Sequence, residues 1–222
     1  MISLPIWITN FKTYEQATGS RAVDLAKIHE KVALNLGVSV GVAVSAFDLF
    51  RVAESVSIPV FAQHCDPVDY GSHTGHLLPQ GIKKSSGIGT LLNHSERRLD
   101  FETLRDAHVC CQKASLTRVV CAENPEEIEE FAHLGPDFLA FEPPELIGSS
   151  TASVASAKPD SISQSVAVAR DIPVLVGAGI KSAEDVRISL QLGAKGFLVA
   201  SAITKADDPE AKLRELLSAF PR

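Results

Sequence analysis

The run Phe141-Glu142-Pro143-Pro144-Glu145-Leu146-Ile147-Gly148 carries the first group whose setting suggests chemistry. Phe138-Leu139-Ala140-Phe141 is a short apolar segment of the kind that forms a buried strand, and Glu142 sits at its C-terminal tip. Pro143 and Pro144 fix their own φ angles. Pro143 also pushes Glu142 toward extended backbone, so the carboxylate stands at a rigid hinge. Beyond the hinge, Gly148-Ser149-Ser150-Thr151-Ala152-Ser153 is rich in small residues and reads as a segment able to close like a lid. A carboxylate so placed suits abstraction of a proton in a closed site.

Other reactive groups occupy comparable places. Asn10-Phe11-Lys12 follows the apolar run Pro5–Thr9, and Asn93-His94-Ser95-Glu96-Arg97-Arg98 follows Gly87–Leu92. Together with Glu142 they supply one base, one imidazole, one ammonium and an amide. Ser95-Glu96-Arg97-Arg98 reads as the opening of a short helix, whose N-terminal potential would disfavour a protonated His94. A neutral ring could then donate a hydrogen bond to a carbonyl. Gly177-Ala178-Gly179 and Ala200-Ser201 follow two later apolar runs; their small side chains would let backbone N–H groups approach phosphate oxygens closely.

The elements that must position these groups repeat along the whole chain. Strand-like runs are expected at 5–9, 38–44, 58–62, 87–92, 118–122, 138–141, 173–177 and 196–200. Most are continuously apolar, as parallel strands covered on both faces should be. Helical stretches are expected at 21–36, 99–111, 125–133, 158–169, 182–192 and 209–219, with Ser182 as an N-cap. No linker or shift of composition divides the chain. Residues 1–222 are therefore expected to form one α/β domain, a (β/α)₈ barrel, with its reactive groups at the C-terminal strand ends.

Composition narrows the partners. The chain has 222 residues, 45% of them hydrophobic, and a formal net charge of −6. It shows no basic cluster and no apolar run of membrane-spanning length, so neither nucleic acid nor membrane is an expected partner. Met1-Ile2-Ser3-Leu4-Pro5 lacks the pattern of a signal peptide, and the spacing of Cys65, Cys110, Cys111 and Cys121 fits reduced thiols, so a cytoplasmic location is expected. His64, Cys65, Asp66, His73 and His76 cluster in sequence, but the spacing does not match a metal site, and none is expected. The long loop Gln63–Gln80 is instead expected to make subunit contacts.

Taken together, Asn10-Phe11-Lys12-Thr13-Tyr14, Phe61-Ala62-Gln63-His64, Gly71-Ser72-His73-Thr74-Gly75-His76, Gly89-Thr90-Leu91-Leu92-Asn93-His94-Ser95-Glu96, the Phe141–Gly148 run, Gly177-Ala178-Gly179-Ile180 and Val199-Ala200-Ser201 resemble the triosephosphate isomerase family in its short archaeal form. The pieces occur in the family's order from end to end, and Ser149-Ser150 departs from the archaeal pattern. The resemblance implies the TIM-barrel fold and interconversion of dihydroxyacetone phosphate and D-glyceraldehyde 3-phosphate through an enediolate, with no cofactor and no metal. It implies Glu142 as the base, His94 as the electrophile, Lys12 as a stabiliser of negative charge and Asn10 as an orienting residue. For substrate and phosphate it implies Asn10, Lys12, Ile147, Gly148, Gly177, Ala178, Gly179, Ala200 and Ser201. It also implies self-association as a homodimer or homotetramer.

Overall fold

The computed structural model describes residues 2–146 and 153–221. Eight parallel strands close into a barrel in chain order: β1 (Ile6–Asn10), β2 (Ser39–Val44), β3 (Val60–Ala62), β4 (Gly89–Leu92), β5 (Thr117–Ala122), β6 (Phe138–Phe141), β7 (Val174–Val176) and β8 (Gly196–Val199). β1 completes the ring by pairing with both β2 and β8, with Ile6 opposite Ser39 on one side and Gly196 on the other. Each strand lies within one or two residues of its expected run.

Two cores follow from the period of two along a strand. Ile6, Ile8, Ala43, Phe61, Leu91, Val119, Cys121, Phe138, Ala140, Leu175 and Leu198 fill the barrel interior. The alternate residues, among them Trp7, Val42, Val120 and Val176, pack outward against the helices. The long helix Ser20–Leu36 buries Ala22, Leu25, Ala26, His29, Val32 and Ala33, packs against β2, and reaches β1 through His29 and the Thr9 hydroxyl. The inward phase, carried one step beyond the last interior residue, places Asn10 after Ile8, Glu142 after Ala140 and Gly177 after Leu175 at the barrel mouth.

Six helices occupy the expected stretches, and Ser182 caps Ala183–Gln191 by accepting from the Asp185 N–H at 3.1 Å. One expectation fails: Ser95–Arg98 is a turn rather than a helix. The helix begins later, at Phe101, because the Asp100 carboxylate accepts the Thr103 N–H at 2.9 Å. Short helices not expected from periodicity lie at Leu49–Ala53, Pro79–Lys84, Val154–Ala157 and Ser201–Thr204. The Gln63–Gln80 loop folds back on itself, with Asp66 N–H donating to Leu77 O at 2.9 Å and Leu77 N–H to the Asp66 carboxylate at 2.6 Å. Cys65 and Cys111 are free thiols whose sulfurs lie 2.9 Å apart. Among the described residues no helix is long and apolar enough to cross a membrane.

Candidate active site

Asn10 ends β1 and is 4% exposed. Its Oδ1 accepts from the Lys12 N–H at 3.0 Å and from Gln63 Nε2 at 3.2 Å, which leaves the amide NH₂ for a ligand. Lys12 takes a left-handed backbone, φ 49°. Its ammonium pairs with the Glu96 carboxylate at 2.7 Å. Gln63 also donates to Lys12 O at 2.9 Å, binding β3's end to β1's. Sequence reasoning assigned Gln63 no role at the site. The signal was available, since Gln63 continues the inward phase of Phe61.

His94 is out of that phase, and the preceding residue corrects it. Asn93 adopts φ 59°, the left-handed region that asparagine tolerates better than most residues. Its side chain locks the turn by donating to Cys121 O at 3.0 Å and accepting from the Leu99 N–H at 2.9 Å. His94 is thereby 6% exposed, with Nε2 3.6 Å from Glu142 Oε2. The Glu96 N–H donates to His94 Nδ1 at 3.2 Å. A ring nitrogen that accepts a backbone N–H carries no proton, so the imidazole proton resides on Nε2, facing Glu142.

Glu142 follows β6, and its N–H donates to Ala122 O at 2.9 Å, extending the ladder by one rung. The side chain is 6% exposed, and Oε2 has no hydrogen-bond partner among the described residues. Desolvation pushes its pKa above the ordinary carboxylate value, offset in part by Lys12 and by the Cys121 thiol beside it. Burial, then the charge of Glu142, pushes the Cys121 thiol up in turn, so this sulfur remains a protonated neighbour.

The glycine-rich turn after β7 divides into two parts. Gly177 N–H donates to Phe141 O at 2.9 Å, so it is committed to the barrel rather than to an anion. A Cβ on Gly177 would lie 2.5 Å from Glu142 Cγ and 2.6 Å from Oε1. This glycine makes room for the carboxylate, a different part from the phosphate contact expected of it. Ala178 and Gly179 follow at φ 63° and 75°, and the Ala178 carbonyl accepts from Val154 N–H at 3.2 Å. Ala200 caps the short helix Ser201–Thr204. Among the described residues no hydrogen bond engages the N–H groups of Gly179, Ser201 and Ala202. Ile147 and Gly148 lie outside the described residues.

One cavity of about 410 Å³ collects Asn10, Lys12, His94, Glu142, Gly179 and Ser201, together with Ala178 and Ala200. It therefore joins a buried base, a ring N–H and an ammonium to small-residue backbone. That combination can remove a proton next to a carbonyl while holding an anionic tail. Among the described residues no three His, Cys, Asp or Glu side chains gather as a metal cluster. His73 and His76 instead meet edge to face at 5.8 Å on the exposed loop.

The family model described as Triosephosphate isomerase matches residues 5–219. A triosephosphate isomerase of Methanoculleus marisnigri is 45% identical over 221 residues, covering 96% of this chain and 98% of the relative. That of Methanocaldococcus jannaschii is 42% identical over 214 residues, covering 95% and 97%. That of Methanosarcina barkeri is 43% identical over 220 residues, covering 97% and 99%.

Proposed function

The chain belongs to the triosephosphate isomerase family, and on that premise we propose that Glu142, His94, Lys12 and Asn10 carry its reaction. It is an intramolecular aldose–ketose isomerase interconverting dihydroxyacetone phosphate and D-glyceraldehyde 3-phosphate. The observation that carries the assignment is the facing pair Glu142 Oε2 and His94 Nε2. They are 3.6 Å apart, both buried, and the carboxylate oxygen has no hydrogen-bond partner among the described residues.

Glu142 takes the proton from the carbon beside the substrate carbonyl. Its raised pKa makes it a stronger base than an exposed glutamate. His94 donates its Nε2–H to the carbonyl oxygen as negative charge develops there and recovers a proton from the neighbouring hydroxyl, which becomes the new carbonyl, while the Glu96 amide holds the ring in its starting tautomer. Lys12 adds positive potential beside the enediolate, and Asn10, steadied by Gln63, orients the substrate. The proton returns from Glu142 to the neighbouring carbon, so the carboxylate is regenerated. Backbone N–H groups at Gly179 and at the Ala200–Ser201 turn receive the phosphate, with Ala178 shaping the turn. No cofactor or metal is required, because the carbonyl itself acidifies the adjacent C–H.

The whole chain, 1–222, acts as one barrel domain in the cytoplasm, self-associating as a homodimer or homotetramer. Support for assembly comes from Phe47, 94% exposed at the rim of a second cavity that Gln63, His76, Lys12 and Glu96 also line. An aromatic left in water beside catalytic residues marks a surface that a second copy would cover. Sedimentation of a fully active monomer would overturn the assembly. For the reaction, the purified protein is given glyceraldehyde 3-phosphate with a coupled reductase that consumes dihydroxyacetone phosphate. Steady turnover is expected; its absence in folded protein would overturn the assignment.

A further inference from the structure

Lys181 stands just past the turn after β7 and lines the same cavity as Gly179 and Ser201. Its backbone is pinned at both ends: the N–H donates to Asp185 Oδ2 at 3.0 Å, and the carbonyl accepts from Lys212 Nζ at 2.6 Å. Its ammonium is shielded from solvent, yet meets no hydrogen-bond acceptor among the described residues. The two acids that follow in sequence do not serve: Glu184 pairs with Arg187, and the Asp185 carboxylate is committed to Ser153 Oγ, Ser182 N–H and Oγ, and the Lys181 N–H itself. A shielded ammonium without an acceptor is unfavourable, and an anion is what would complete it.

The charge balance of the cavity points the same way. Its ionic lining consists of Lys12, Glu96, Glu142 and Lys181. Lys12 is paired with Glu96. Without Lys181 the cavity would present two carboxylates and one ammonium to a phosphate dianion, in a chain whose net charge is −6. With Lys181 the lining is balanced, and its second cation lies on the glycine-turn side. We propose that Lys181 is a phosphate-binding residue whose ammonium becomes the counter-charge of the substrate's phosphate, alongside the backbone N–H groups. This rests on the isomerase reading above. A lysine suits the task, because its flexible four-carbon stem lets a compact charge follow the ligand.

The test uses the full-length protein, Lys181→Gln, Lys181→Arg and Lys181→Met. With glyceraldehyde 3-phosphate as substrate and inorganic phosphate as competitive inhibitor, Lys181→Gln should raise both KM and the inhibition constant roughly 10-fold or more, as loss of a charge-assisted hydrogen bond does. kcat should fall much less, and Lys181→Arg should restore both constants to within about threefold. Lys181→Met removes the unpaired charge at similar volume, so it keeps the proposal testable if Lys181→Gln folds poorly. Its melting temperature without ligand should equal or exceed that of wild type, while the rise in melting temperature on adding inorganic phosphate should be largely lost. Constants within twofold of wild type in Lys181→Gln, or an undiminished phosphate-induced rise in Lys181→Met, would overturn the proposal. Failure of the wild type to turn over glyceraldehyde 3-phosphate would instead overturn the isomerase reading, and the thermal arm separates the two.

Discussion

Gly177→Ala would add one methyl group at the tightest point of the site. Its Cβ would stand 2.5 Å from Glu142 Cγ, 2.6 Å from Oε1 and 2.9 Å from Cδ, where ordinary contact begins near 3.4 Å. Gly177 does not occupy the left-handed region, so its backbone accepts alanine without strain, and the three nearest atoms in conflict all belong to Glu142. Glu142 cannot retreat easily: its N–H is tied to Ala122 O, and Pro143 fixes the chain on its other side. The carboxylate must therefore swing by about 1 Å, and a misplacement of that size costs on the order of 100-fold in rate. The expected result is a fall in kcat of about two decades, with KM for glyceraldehyde 3-phosphate changed far less. The assay is steady-state isomerisation, with circular dichroism to establish folding. If Gly177 served the phosphate instead, KM would rise and kcat would hold. A folded Gly177→Ala variant with kcat within threefold of wild type would refute the reasoning.

Two further outcomes follow from buried titratable groups. His29, on the buried face of the helix Ser20–Leu36, reaches β1, with Nδ1–H donating to Leu25 O and Nε2 accepting from the Thr9 hydroxyl, both at 2.7 Å; that hydroxyl accepts the Trp7 indole N–H at 2.9 Å. Burial lowers its pKa from 6.5 to about 4 despite the Leu25 bond, so the unfolded chain binds the extra proton in the window between those values. Stability is complete above pH 6.5 and falls as pH drops toward 4, by about 3 kcal/mol from this group. Urea unfolding across that window should show the loss, and His29→Gln should flatten the slope; equal slopes in the two proteins would contradict it. In kinetics, the raised pKa of Glu142 places the acidic limb of the kcat/KM profile above the ordinary glutamate range. A limb at or below the ordinary value would count against Glu142 as the essential base.

Much of this was legible in the residues, for reasons that differ from group to group. The strands stood out because parallel strands covered on both faces read as unbroken apolar runs. Asn10 and Glu142 were legible because they continue the inward phase set by Ile8 and Ala140. His94 breaks phase, and its placement depends on the left-handed Asn93, whose two side-chain hydrogen bonds reach Cys121 and Leu99. Ser95–Arg98 resembled a helix start by composition. In the fold, the Glu96 N–H is spent on His94 Nδ1 and the real cap is Asp100. Gly177 showed only as a small residue in the sequence, since nothing local reveals which distant side chain needs its space. Leu49–Ala53 and Ser201–Thr204 are too short for a helical period to register.

The central claim, that Glu142 carries the proton, is tested most directly by Glu142→Gln, which keeps the shape and removes the basic oxygen. Turnover of glyceraldehyde 3-phosphate is measured alongside the affinity of a phosphate-bearing mimic of the enediolate. Because general base catalysis contributes about 10²–10⁴-fold, kcat should fall by at least that range while the mimic still binds. Near-normal kcat in a pure, folded Glu142→Gln preparation would contradict the assignment.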